Sequence, residues 1–354
     1  MSQSCLGFSL ILAFLLSATS VTSVKEPSDR KSSTELSVLQ EAFLDLRLGL
    51  FLHFNMGTFV GLEWANGYED PAVFAPSKLD CAQWAEAAKA AGMKYAVLTV
   101  KHTGGWCLWD SAHTNHDIAS FVNYKGGKGD IVREFVDAFR ARGLKVGFYY
   151  CFPGDYARSD IGRTLPEGKP DLHGLPPEAA GDFVGFMKLQ LTELLTDYGP
   201  IDLIWIDQHH NKYTSAHWPE LREFMKSLQP NCLILGNNAR SLDDSDIVGY
   251  ERPVLRNRKL PDDNMLPSEM CDTIYAHGQW FWHEPATEAN IKTAKEVVDF
   301  LAFCNERRAN LLLNVPPDQD GLISGLHLQR LREIGALLRA ATEAGEAEAT
   351  PSGL

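Results

Sequence analysis

Asp207 closes an apolar run in the segment IDLIWIDQHH. A lone carboxylate at such a depth is costly unless it is paired or put to use. It is therefore a helix cap, a salt-bridge partner or a group that works on a substrate. Other apolar runs end on polar side chains in the same way. His53 ends one, Lys101 and His102 the next, and Tyr149 and Tyr150 a third. Trp205 stands two residues before Asp207, Asn238 and Arg240 follow another run, Tyr250 and Glu251 follow the next, and Asn314 ends the last. Each alone is a weak sign, because such a residue also caps helices or satisfies backbone. Together they describe one convergent site. Trp64, Trp106, Trp109, Trp205, Trp280 and Trp282 gather in the same segments. An indole suits the apolar CH face of a sugar while rim donors and acceptors read its hydroxyls, although some of these rings must be core. His209 and His210 bring metal to mind, but consecutive residues point apart and a catalytic zinc wants three protein ligands.

The elements that must position these groups alternate. Apolar strands are expected at Leu48 to Phe54, Tyr95 to Val100, Leu144 to Cys151, Ile201 to Ile206, Cys232 to Leu235, Ile247 to Tyr250 and Asn310 to Val315. Helices are expected at Ala82 to Ala91, Ile131 to Arg142, Phe183 to Tyr198, Trp218 to Leu228, Lys292 to Asn305 and Gly325 to Ala344. The strands are near-continuous apolar runs, the mark of parallel strands covered on both faces. Such βα repetition suits a doubly wound sheet or a closed barrel, and periodicity does not choose between them. No Gly-x-Gly-x-x-Gly follows the first strand and there is no P-loop, which removes the usual reasons for a nucleotide-binding open sheet. In a parallel barrel the chemistry sits at the C-terminal strand ends, where these polar residues fall.

With 354 residues, 45% of them hydrophobic, the chain can bury a large core. One α/β barrel of about 250 residues fills most of it. The formal net charge of −13 is spread along the chain and disfavours nucleic acid and anionic membrane surfaces as partners. Leu6 to Leu16 is an apolar run of signal-peptide length, followed by small and polar residues up to Ser23. It is too short to span a bilayer. The expected layout is a signal peptide at 1–23, a flexible Ser-rich lead-in at 24–40, a catalytic domain at 41–344 and a disordered tail at 345–354. That layout makes the protein secreted or periplasmic, with no membrane span after signal removal. Six cysteines remain after Cys5 is removed. None has CxxC spacing, so mostly free, buried thiols are expected, with room for one bridge.

At these residues the chain resembles glycoside hydrolase family 29, the α-L-fucosidases, from about Leu46 to Arg339. LGLFLHF is similar to the first-strand motif of that family, which usually ends His-Trp, and LEWANG to the Glu-Trp pair that follows. VLTVKHTGGWCLWDS is close to a Lys-His-His-Asp-Gly-Phe-Cys-Leu-Trp signature. YGPIDLIWIDQ resembles the strand that carries the nucleophile, and NLLLNVPPDQDGLI the closing Asn-Leu-Leu-Leu-Asn motif. The resemblance implies a (β/α)8, TIM-like barrel, a catalytic domain without a C-terminal β-sandwich. It implies a retaining exo-glycosidase that releases terminal α-L-fucosyl residues from oligosaccharides or glycoconjugates, with no metal and no cofactor. By the same resemblance Asp207 is the nucleophile, and His53, Glu63, Trp64, His102, Tyr149, Trp205, Arg240 and Trp280 line the sugar subsite. SEMCDTIYAHGQWFW resembles the Glu-x-Cys segment of the family, which makes Glu269 the candidate acid/base, ahead of Glu251 and then Glu284. The sequence departs from the pattern at Phe54, Thr103 and Gly104, which stand where the family has Trp, His and Asp. A glycosidase for another sugar, such as a galactose-configured one, and a non-catalytic carbohydrate-binding barrel are therefore the competing readings.

The position of the small residues Val21 and Ser23 generates one expectation for the mature chain. N-terminal sequencing of exported protein should start near Val24; an intact Met1 on the purified protein would remove the signal assignment.

Overall fold

The computed structural model describes residues 34–152, 182–210, 214–239, 241–252 and 259–349. The signal segment expected at 1–23 lies outside them, as does the lead-in up to residue 33. The strands are β1 Leu48–Leu52, β2 Tyr95–Lys101, β3 Lys145–Cys151, β4 Leu203–Asp207, β5 Leu233–Gly236, β6 Val248–Glu251, β7 Ser268–Thr273 and β8 Ala309–Asn314. They pair in the order β5-β4-β3-β2-β1-β8-β7-β6, every ladder parallel. The described residues thus form a (β/α)8 barrel, nearly closed. Side chains finish the join between β5 and β6. The Ile234 N–H donates to the Asp246 carboxylate at 2.9 Å and the Gly236 N–H to Ser245 Oγ at 2.9 Å. Asp246 in turn is held by Arg222 and Lys226.

Helices α1 Leu36–Leu44 and α2 Met56–Val60 flank β1, and α3 Cys81–Ala90, α4 Ile131–Arg140, α5 Phe183–Thr196, α6 Trp218–Leu228, α7 Ala294–Asn305 and α8 Gly325–Ala349 follow. Their starts are written locally. Asp130 accepts from the Arg133 N–H, Asp182 from the Gly185 N–H, and Thr293 with Glu296 forms a capping box. In α4 the buried residues are Ile131, Val132, Phe135, Val136 and Phe139, one apolar stripe at helical spacing. Among the described residues no helix separates β5 from β6 or β6 from β7.

Three expectations need correction. The first is β7, absent from the apolar-run reading because SEMCDT carries two carboxylates; both find partners inside the fold, as described below. The second is the lead-in, since α1 takes in residues 36–40. Phe43 of that helix packs on Tyr95 with ring centroids 5.4 Å apart, and Gln40 donates to the Asp246 carbonyl. The third is the tail, because α8 continues to Ala349.

Apolar side chains fall into an outer set between strands and helices and an inner set that fills the barrel, including Phe51, Val97, Tyr149, Leu203, Trp205, Leu235 and Leu312. Filling the barrel this way makes its interior a packed core rather than a pore. All six cysteines among the described residues are free and buried. Gly49 has a packing role here, since a Cβ on it would stand 2.4 Å from the Tyr95 ring. Gly49→Ala should therefore destabilise the fold by about 1–3 kcal/mol through overpacking. A denaturant midpoint equal to that of the unsubstituted protein would show that the ring has room to move.

Candidate active site

A small cleft opens at the C-terminal ends of the strands, lined by Phe51, His53, Trp64, His102, Tyr149, Trp205, Asp207, Asn237, Glu251, Cys271 and Trp280. Each side chain arrives by the period of its strand. On β3 and β4 alternate residues face inward, so Tyr149 stands beside Trp205. On β2 the alternation is broken on purpose. The register shifts between Thr99 and Lys101, a bulge that reverses the in-and-out phase of the residues after it. Lys101 turns outward to Tyr150 and to Gln190 of α5, and His102 joins the cleft.

Asp207, the last residue of β4, receives hydrogen bonds on both carboxylate oxygens. Tyr149 O–H donates to Oδ2 at 2.8 Å, while Asn237 Nδ2 and the Gln208 N–H each donate to Oδ1 at 2.9 Å. The same Asn237 nitrogen also donates to Glu251 Oε2 at 2.9 Å, and Asn238 adds a 3.5 Å contact. One amide nitrogen thus joins two carboxyl groups from β4 and β6. Their bonded oxygens can be no farther apart than two such bonds laid end to end. The residues after both strands that hold this amide and Asp207, Gln208 and Asn238, sit at φ +57° and +59°. That left-handed backbone is uncommon outside glycine and gathers at working sites.

Burial, and then the neighbouring Asp207, raise the Glu251 carboxyl above its ordinary range, while the Asn237 and Asn238 amides pull it back down. Burial first and Asp207 second push the Tyr149 hydroxyl up, so it stays a donor. His53 Nδ1 lies 2.8 Å from Asn314 Oδ1. An amide oxygen only accepts, so Nδ1 carries the proton and Nε2 is the acceptor. Burial and the neighbouring His102 hold His53 well below its ordinary value, and burial takes His102 down to about 3. Both rings are neutral, so they present directional donors and acceptors rather than charge. Asn314 Nδ2 also donates to the Trp280 carbonyl at 2.8 Å, which ties the β7–α7 segment to the same wall.

Comparison with known proteins shows the family of the chain. A family model described as α-L-fucosidase matches residues 65–343. The chain belongs to the α-L-fucosidase family. Alpha-L-fucosidase 1 of Arabidopsis thaliana is 31% identical over 316 residues, covering 82% of this chain and 57% of that protein. Alpha-L-fucosidase isoenzyme 1 from Paenibacillus thiaminolyticus shares 33% identity and superimposes with a TM-score of 0.69, covering 88% of this chain and 77% of that one. A glycoside hydrolase 29 family member from an unknown rumen bacterium gives a TM-score of 0.67 at 28% identity, covering 86% and 57% of the two chains. The chain spans about half the length of the curated relatives it matches.

Within this fucosidase-family barrel the structure brings His53, Trp64, His102, Tyr149, Trp205, Asp207 and Trp280 to the cleft. Trp64 stands at its rim, 61% exposed. Glu63 sits behind the wall instead. Its Oε2 accepts from the Trp280 N–H at 2.9 Å, and its Oε1 lies 3.3 Å from His283 Nε2. Arg240 lies outside the described residues. Glu284 is exposed and its Oε1 lies 3.4 Å from the Asn290 amide, away from the cleft.

Glu269, the candidate acid/base by resemblance, does not stand where that role requires. Glu269 is the second residue of β7, 1% exposed, and its carboxyl is bonded inside the barrel to Tyr95 and Trp205. It does not line the cleft, whereas Glu251 does. Asn237 and Cys271 were not singled out from the sequence. Asn237 sits between Gly236 and Asn238 directly after an apolar run, the same strand-end signal that marks the other site residues.

The departures at Thr103 and Gly104 also find their place. Neither lines the cleft. Thr103 Oγ1 lies 3.1 Å from His102 Nδ1 and so orients that ring. Gly104 has φ +91°, and a Cβ there would meet the Gly67 nitrogen at 3.0 Å. An aspartate there would strain the backbone and crowd the Ala65–Gly67 segment. A larger cavity on the outer face of β7 and β8 holds Asp272, already paired with Lys292 and Arg252.

Asn237→Leu removes the shared donor and keeps the volume. The Glu251 carboxyl should then titrate still higher, because the lost hydrogen bond favoured its charged form. Carboxyl-labelled ¹³C NMR titration measures this, and an unshifted Glu251 would mean the amide does not hold the pair.

Proposed function

We propose that the protein is an exported, retaining exo-α-L-fucosidase that hydrolyses terminal α-L-fucosyl residues of oligosaccharides or glycoconjugates. The observation that carries the reading is the single Asn237 nitrogen bonded to Asp207 and Glu251 in an aromatic-walled cleft of a fucosidase-family barrel. The pair is closer than the about 6.5–9.5 Å that an inverting mechanism needs for its water, and suits the closer spacing of a retaining one. Asp207 attacks the anomeric carbon and forms a glycosyl–enzyme ester. Glu251 delivers its proton to the departing glycosidic oxygen. Glu251 then takes a proton from water, which attacks the anomeric carbon and releases Asp207 with net retention. The raised Glu251 carboxyl supports the role of acid, since burial and the adjacent Asp207 both favour keeping the proton. Glu251 takes the place of Glu269 in this assignment because it alone of the two reaches the cleft.

Sugar recognition rests on neutral groups. His53 and His102 meet hydroxyls without charge, and the faces of Trp280 and Phe51 supply apolar surface of the kind a 6-deoxy sugar's C5 methyl requires. Thr103 and Gly104, the reason for considering another sugar, act behind the cleft, which favours fucose. The apolar segment from Leu6 to Leu16 supports export.

A panel of aryl glycosides tests the sugar, with turnover expected on the α-L-fucoside and far less on galactose-configured and other glycosides. Asp207→Ala should lower kcat at least about 10³-fold in a folded protein. Glu251→Ala should cost about 10²–10⁴-fold on substrates with poor leaving groups and much less on activated aryl fucosides. Azide should restore turnover in Glu251→Ala and yield a fucosyl azide of retained configuration. Equal losses on both substrate classes would remove Glu251 from the acid role. For pH, the acid must be protonated to act. Activity should therefore fall as pH rises through the Glu251 value, with that limb lying above the ordinary glutamate range of about 4.3.

A further inference from the structure

Beneath the cleft lies a second carboxyl group that the mechanism above does not use. Glu269 faces into the barrel from β7, and its two oxygens reach across the interior to other strands. Oε1 accepts from Trp205 Nε1 of β4 at 2.9 Å, and Oε2 is bonded to the Tyr95 hydroxyl of β2 at 2.5 Å. Gly49 of β1 leaves the room that the Tyr95 ring occupies. A buried ionisable group with two partners is not needed for core stability, since apolar residues of like volume often serve as well or better. What the polar group adds is direction, because a hydrogen bond fixes the rotation of an indole that apolar packing leaves loose.

The indole matters because of what it touches. Trp205 stacks on Tyr149 with ring centroids 5.2 Å apart and planes at 23°. Tyr149 stacks on His102 at 5.3 Å and 18°. The three rings form one column. Thr103 holds the column at the His102 end, and Glu269 holds it at the Trp205 end. The middle ring carries the hydroxyl that donates to Asp207 Oδ2.

We propose that Glu269 is a positioning residue, which orients the Trp205 indole and, through the stacked Tyr149, the carboxylate of Asp207. The proposal rests on Asp207 acting as nucleophile. Its proton inventory suits the task near neutrality. Burial raises the Glu269 carboxyl to about 7 against the opposing pull of Tyr95 and Trp205, yet in either protonation state an oxygen remains to accept from Trp205.

The test is a double-mutant cycle read on kcat and KM with an aryl fucoside, each variant checked by thermal unfolding. Glu269→Gln keeps an acceptor for the indole N–H and should hold kcat within about threefold of wild type. Glu269→Leu removes the acceptor. It should lower kcat about 10- to 100-fold with little change in KM, the scale of a misplaced reacting group. Trp205→Phe keeps a ring but loses the donor, and in that background Glu269→Leu should add almost nothing further. A folded Glu269→Leu with wild-type kcat, or a loss that adds in full to that of Trp205→Phe, overturns the proposal. So does a loss of about 10³-fold in Glu269→Gln with azide rescue, which would make Glu269 the acid/base instead. Should Glu269→Leu fail to fold, Trp205→Phe alone decides: the proposal requires a lower kcat at nearly constant KM, and unchanged kcat or a loss confined to KM overturns it. Asp207→Ala runs in parallel. If it keeps its turnover, the nucleophile reading fails; if it is inactive while Glu269→Leu is unimpaired, only the positioning role fails.

Discussion

Two carboxyl groups that accept hydrogen bonds from the same amide nitrogen must share one small space. Like charges in such a space resist joint ionisation, and one of the pair is driven to keep its proton. Asn237 holds Asp207 and Glu251 in such a space. Burial first and the adjacent Asp207 second favour the protonated Glu251, while the amide itself pulls the other way, and the proposed roles of the two acids rest on that difference. Much of the surrounding structure serves to keep the amide, the two acids and the rings beside them in place.

A closed parallel barrel is suited to the task because it aims many strand ends at one point. Here the regular pattern is altered where regularity would misdirect a side chain. The shift after Thr99 lets the buried Lys101 go outward to Gln190 while the next residue, His102, enters the cleft. Left-handed backbone at Gln208 and Asn238 lets β4 and β5 end abruptly enough for Asp207 and Asn237 to meet. Gly104 accepts a backbone angle and a close contact that other residues would not. Each device is local, but each is justified only by what it delivers to the centre.

The barrel interior is layered by chemistry as well as by height. Its lower part joins Tyr95, Glu269 and Trp205 by hydrogen bonds. Above that, Phe51, Tyr149 and Trp205 pack ring on ring, with Phe51 and Trp205 centroids 5.5 Å apart. Above these open the neutral histidines and the two acids. Dry aromatic packing under a polar rim lowers the local dielectric, so the few hydrogen bonds at the rim act more strongly than they would in water.

Much of this was legible in the residues alone. Continuous apolar runs marked seven of the strands, because parallel strands are covered on both faces and need no polar alternation. Helical spacing of apolar residues marked most of the helices, since that pattern is set within a few turns of chain. Polar residues at the ends of the runs marked the rim of the site, and Asp207 among them. The eighth strand, SEMCDT, escaped because its acids are paid for by Tyr95, Trp205, Lys292 and Arg252, partners as far as 174 residues away for Tyr95. The choice between Glu251 and Glu269 was hidden for the same reason. Both follow or begin short runs, and nothing local separates them. Which one opens to the cleft and which one is shut inside depends on strand register and on ring packing across the barrel. Those are properties of eight strands assembled together, so only the tertiary structure could decide them.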